Sequence, residues 1–217
     1  MTILTDFYTE IREWIDDQDP TDALVDSWVR IAESRINDEL RSTEQITRTY
    51  ATFDDNCSIM PADWLEHIYV RVKGGRPFDY ITPHDYWDLR PPPTYSPQPD
   101  PLGVERYPWP GKKMLYTTIG TTLFVWPPID PEALTQVEIC YFRAIQPLGT
   151  QADVVFTRYH NIYLNCALSA AAPYLVEDDR LTTFASLATA GIQKANDMAR
   201  SSRWSGSPIA PRIRGFG

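Results

Sequence analysis

The sequence predicts an α+β fold: a helical bundle built from N- and C-terminal helical hairpins, with an antiparallel β-sheet domain and a Pro-rich loop inserted between them. Three observations carry this. Apolar residues recur at helical steps near both ends of the chain, they alternate through its middle, and a dense run of prolines interrupts the alternating part. The expected organisation is a hairpin over 1–45, a β insertion over 46–150 with its Pro-rich loop at 90–111, a second hairpin over 151–203, and an extended tail over 204–217.

Asp6 to Asp17 carries Phe7, Ile11, Trp14 and Ile15 at helical spacing behind Thr5 or Asp6 as cap, with Glu10 placed for a capping box. Asp19 to Arg41 is the best-specified helix. Asp19 suits its N-cap and Pro20 its first helical position, where a missing amide costs nothing. Val25, Trp28, Val29, Ala32, Ile36 and Leu40 form one stripe; Asp26, Arg30, Glu33, Asn37 and Arg41 face water or a partner.

From Ile46 the period becomes two, and Ile46 to Phe53 reads as a strand rich in Thr and aromatics. Asp54-Asp55-Asn56 reads as a polar turn and lacks the further oxygens of a calcium loop. Pro61-Ala62-Asp63 starts a single helical turn, His67 to Lys73 is a strand, and Gly74-Gly75 turns it into a partner strand over Phe78 to Thr82. Thr82 caps a short helix from Pro83 to Leu89.

Arg90 to Gly111 holds eight prolines, with Tyr95, Leu102, Tyr107 and Trp109 among them. Proline fixes φ and lacks an amide donor, so this is a stiff extended loop. Its aromatics lay it onto its own or another subunit. Met114 to Thr118, Thr121 to Trp126 and Gln136 to Ala144 complete one antiparallel sheet of about five or six strands. Val154 to Pro173 and Glu177 to about Arg203 are the last helices, the second with Leu181, Phe184, Leu187, Ala188, Ile192, Ala195 and Ala199 inward.

Chemistry-bearing patterns are few. There is no phosphate loop, zinc spacing or nucleophile elbow, and His67, His84 and His160 are far apart, so neither catalysis nor a metal or other cofactor is expected. Cys57, Cys140 and Cys166 read as free thiols. A net charge of -9 argues against a protein that wraps nucleic acid through its phosphates. No apolar run approaches ~20 residues and no charged-then-apolar start is present, which predicts neither membrane insertion nor secretion.

Four blocks resemble, in order, the head–tail adaptor (connector) proteins of tailed bacteriophages. They are Trp28 to Asn37 with Leu40 and Arg41, Met60 to Glu66, Tyr116 to Leu123, and Thr157 to Leu164 followed by Ala171 to Leu175. The resemblance implies a non-enzymatic virion protein, assembled in the host cytoplasm. It would form a homo-oligomeric ring, usually of twelve, between portal and tail, with DNA passing through the lumen without specific binding. A tail-tube or nozzle protein of the same virion, and a small-molecule enzyme using the aromatic sheet face, are the alternatives. The family's carboxyl-terminal segment reaches the portal, which puts Trp204, Arg212, Ile213, Arg214 and Phe216 at that contact. Arg30 reads as an intrahelical ion-pair partner. Arg35 and Arg41 stand open between that reading and a subunit interface, to which Tyr107 and Trp109 are also assigned.

Overall fold

The computed structural model describes residues 3–15, 20–51, 53, 57–73, 75–89, 114–126, 137–149, 153–171, 174 and 180–204. The architecture is α+β. The chain forms two compact units, Met1–Ile46 with Ala144–Gly217, and Thr47–Arg143.

The first unit is helical. Helix α1 (Ile3–Ile15) begins before Thr5 and Asp6, so these lie within the helix rather than capping it. Helix α2 (Asp22–Glu39) starts later than Asp19-Pro20 suggested: Thr21 is its extended N-cap, with a carbonyl that accepts from the Leu24 and Val25 amides. Pro20 stays outside because its own carbonyl accepts from the Arg12 guanidinium at 3.1 and 3.3 Å. Asp19 falls outside the described residues. A single 3-10 turn (Thr43–Gln45) follows α2, and the Gln45 side chain accepts from the Ser42 amide at 2.9 Å.

The expected Val154 to Pro173 helix is broken into α4 (Val154–Arg158) and α5 (His160–Ala170) at Tyr159, whose φ of -118° and ψ of 32° leave the helical range. Asp153 caps α4 by accepting from Val155, and its other oxygen accepts from Gln146 at 2.9 Å. Helix α6 (Leu181–Trp204) begins after Glu177-Asp178-Asp179, which lie outside the described residues. Helix α5 packs on α1, α2 and α6. Gly191 permits a close approach of α6 to α5, since a Cβ there would stand 3.1 Å from Ile162 Cγ1.

The core of this unit joins Phe7, Ile11, Val25, Ile36, Tyr163 and Leu168 with Phe184 and Ile192. Each such fully buried side chain contributes about 1.5–3 kcal/mol relative to exposure. Phe156 packs edge-on against Phe7 and Tyr163 at 5.2 and 5.1 Å. Two residues expected inward are half exposed: Leu187, and Trp14, which meets Phe184 only by an edge contact at 6.1 Å.

The second unit contains seven strands among the described residues: β1 (Ile46–Ala51, beginning at the boundary), β2 (Cys57–Ile59), β3 (Trp64–Val72), β4 (Asp79–Tyr80), β5 (Leu115–Ile119), β6 (Thr122–Trp126) and β7 (Val137–Arg143). They form two sheets, ordered β1-β7-β3 and β2-β6-β5-β4, rather than one. The divergence is visible after β3. Pro77 bridges Arg71 and the Phe78 amide bonds the Val70 carbonyl at 2.8 Å, and the pairing goes no further. The chain crosses instead to the second sheet, where β4 pairs in parallel with β5. Helix α3 (Pro83–Leu89) lies against β5. Gly120, with φ of 59°, makes the tight β5–β6 turn at no steric cost.

Strand β7 is buried on both faces. Val137, Ile139 and Tyr141 join the unit's core with Val70, Leu123 and Val125, while Glu138, Cys140 and Phe142 are buried on the other side.

Candidate functional site

The polar face of α2, expected to meet water or a partner, is largely used within its own unit. Glu33 accepts from the Leu148 amide at 2.7 Å and Asn37 from the Ile145 amide at 2.9 Å, so this face fixes residues 144–149. Burial pushes the Glu33 carboxyl up, with the Leu148 bond opposing it. Asp26 accepts from the Tyr8 hydroxyl at 2.7 Å, and Arg30 forms the expected pair with Asp26 at 2.8 Å. That pair is exposed and worth at most a few tenths of a kcal/mol.

Arg35 and Arg41 tie α2 to α6. Arg35 pairs with Glu39 at 3.1 Å and donates to the Thr189 hydroxyl at 2.8 Å. The Arg41 amide donates to Asn196 at 2.7 Å, Asn196 donates back to the Glu39 carbonyl at 2.9 Å, and the Arg41 guanidinium covers the Asn37 and Leu40 carbonyls. These bonds satisfy carbonyls that the end of α2 would otherwise leave orphaned.

A second polar centre gathers at the helix break. Arg158 ion-pairs with Glu44, and the Tyr159 hydroxyl donates to Glu44 at 3.1 Å. Burial works against the Glu44 carboxylate, but its own backbone amide, Thr43, Tyr159 and the Arg158 charge outweigh it and hold its pKa below the ordinary value. Nearby, His160 lies 2.7 Å from Glu10 and edge-on to Phe7 and Phe156. Glu10 thus links α1 to α5 instead of closing a capping box.

The histidines do not converge. His84 sits 3.6 Å from Asp88 on the exposed face of α3. His67 is stacked on Tyr80 and edge-on to Tyr116, and burial lowers its pKa. Among the described residues no three His, Cys, Asp or Glu side chains stand together as metal ligands. All three cysteines are free thiols; burial pushes Cys166 up to about 11, which keeps it protonated and inert. These side chains supply bonding that holds their elements together.

Trp204 ends α6, while Arg212, Ile213, Arg214 and Phe216, like Tyr107 and Trp109, lie outside the described residues. The described residues therefore form a helical unit and a β unit. The sequence matches the SU10 adaptor protein family over residues 2–212. The chain belongs to that family. No curated protein matches it. SU10 adaptor membership makes it a structural adaptor protein of a phage and a component of the virion. No described helix is long and apolar enough to cross a membrane.

One turn of this adaptor carries a sequence signal that helical and strand periodicity passes over, and one buried carboxylate carries none. Ser42-Thr43-Glu44-Gln45 has the S-x-x-Q spacing of a capping box, and it marks the turn that presents Glu44. Glu138 has no local signal, because its partners come from two other strands.

Proposed function

We propose that this SU10 adaptor forms a closed ring, of twelve copies by its resemblance to head–tail adaptors, between the portal vertex and the tail. DNA passes through the lumen. The observation that carries the reading is the family match over nearly the whole chain. The net charge of -9 supports it, since an anionic wall gives DNA little to adhere to. Adjacent copies meet head to tail through unlike surfaces. Arg35 and Arg41, which brace α2 against α6, shape the surface that meets the next copy, and Tyr107 and Trp109 anchor the Pro-rich segment on it. Trp204, Arg212, Ile213, Arg214 and Phe216 dock on the portal.

Mass measurement of the complex isolated with portal, together with an image of the particle that localises this chain, tests the assembly. One or two copies per portal would rule the ring out. Replacing Tyr107 and Trp109 with Ser is expected to weaken assembly while leaving the monomer's thermal unfolding nearly unchanged, because interface anchors contribute to binding and not to the isolated fold. A large drop in monomer stability would place both rings on their own subunit.

A further inference from the structure

A groove of about 380 Å³ opens on the helical unit beside the break at Tyr159, with Arg158, His160 and Ile162 on one side and Gly191, Lys194 and Met198 of α6 on the other. Its apolar surface includes Met198, which is 52% exposed. Its charge is cationic. Lys194 is exposed and has no ion-pair partner among the described residues. Arg158 pairs with Glu44 and His160 with Glu10, yet no carboxylate is among the described residues that line the groove. Residues 150–152 before α4 and 205–217 after α6 contain no acid, and the acidic stretches 16–19 and 175–179 join α1 after Ile15 and α6 before Phe184, about 10 Å or more along the bundle from Gly191. The complement of this groove brings carboxylates beside an aromatic ring, because a thioether packs well on a ring and a cation attracts both ring face and carboxylate.

Helix α3 of the β unit has that combination. Tyr86 is buried and packs on Phe124 at 5.7 Å, while Trp87 stays 49% exposed and Asp85 and Asp88 are exposed beside it. Consecutive helical residues stand 100° apart, so His84, Asp85, Trp87 and Asp88 share the arc opposite Tyr86. Thr82 fixes the first turn, its hydroxyl donating to the Asp85 carboxylate at 2.7 Å and accepting from the Asp85 amide at 3.2 Å. The lengths also agree: the seven residues of α3 and the stretch from Gly191 to Met198 each span about 10 Å. We infer that α3 of one copy seats in the groove of the next, with Trp87 against Met198 and Ile162 and the two carboxylates toward Lys194 and Arg158. This rests on the ring proposed above, and it supplies the unlike surfaces that a head-to-tail contact requires.

Lys194→Glu or Asp88→Lys alone, in the full chain assembled with portal, is expected to lower the yield of closed rings about tenfold, because each sets like charges face to face. The two together reverse the pair and should restore the yield to within about twofold of the parent. Both positions are exposed, so thermal unfolding of the free chain should not move. Normal ring yield in both single variants, or no rescue by the pair, would overturn the inference; the second result would give the groove to an acidic partner other than α3. A parent chain that forms no ring fails the assembly reading alone, and the contact is then decided by disulfide trapping. Asn161 lines the groove and His84 lies on the exposed arc of α3, and neither change touches the carboxylates, Lys194 or Trp87. Chains carrying Asn161→Cys and chains carrying His84→Cys, each with Cys57→Ser, are mixed and mildly oxidised. A two-chain disulfide product found only in the mixture supports the docking, and its absence overturns it.

Discussion

Deleting residues 204 to 217 is expected to leave a folded protein that no longer joins DNA-filled heads. Ala199 is the last described residue of α6 in that core and lies ahead of the cut, so the described core stays whole and the stability change should stay within about 0.5 kcal/mol. The removed segment contains Arg212 and Arg214 and no acid, in a chain of net charge -9, with Trp204, Ile213 and Phe216 beside them. Such a composition cannot build its own core and suits a segment ordered on a partner. Arginines paired with portal carboxylates make attachment salt-sensitive, while Phe216 supplies an apolar anchor. Thermal unfolding of the truncated chain and its yield of DNA-retaining particles check this together. Normal yield would remove the portal role from the tail, and a large stability loss would assign the segment to the fold.

How much of this was legible depends on the range of the interactions involved. The α2 stripe was readable because Val25, Trp28, Val29, Ala32, Ile36 and Leu40 obey one local period, and all are buried. Its polar face misled because Glu33 and Asn37 look solvated locally but accept from amides more than a hundred residues away. The split into two sheets rests on a parallel pairing of β4 with β5 that no hairpin signal announces. The break at Tyr159 sits inside a good helical pattern, where Tyr159 and Arg158 both reach Glu44. The adaptor resemblance came from blocks of local sequence in order, and the family match spans all of them.

Glu138→Gln is expected to destabilise the β unit by about 2–3 kcal/mol at neutral pH, the scale of hydrogen bonds to a charged group with little water to replace them. Glu138 accepts from the Tyr69 hydroxyl at 2.7 Å and from Arg71 at 3.2 and 3.3 Å, with Arg48 at 3.8 Å. The Tyr69 bond is the largest influence holding its pKa below the ordinary 4.5; burial opposes it, and the two arginines add to it. Burial and the same bond push Tyr69 up to about 12. A lowered folded pKa means that the carboxylate contributes stability fully above about pH 4.5, and that this contribution is lost as pH falls through the folded value. The glutamine keeps the shape but carries no charge to lose, so the parent's advantage should be complete at pH 7 and shrink steadily below about pH 4.5. Denaturant midpoints for the β unit at pH 7 and pH 3 measure it. A gap of the same size at both pH values would assign the effect to packing around the side chain and not to the charge that joins β1, β3 and β7.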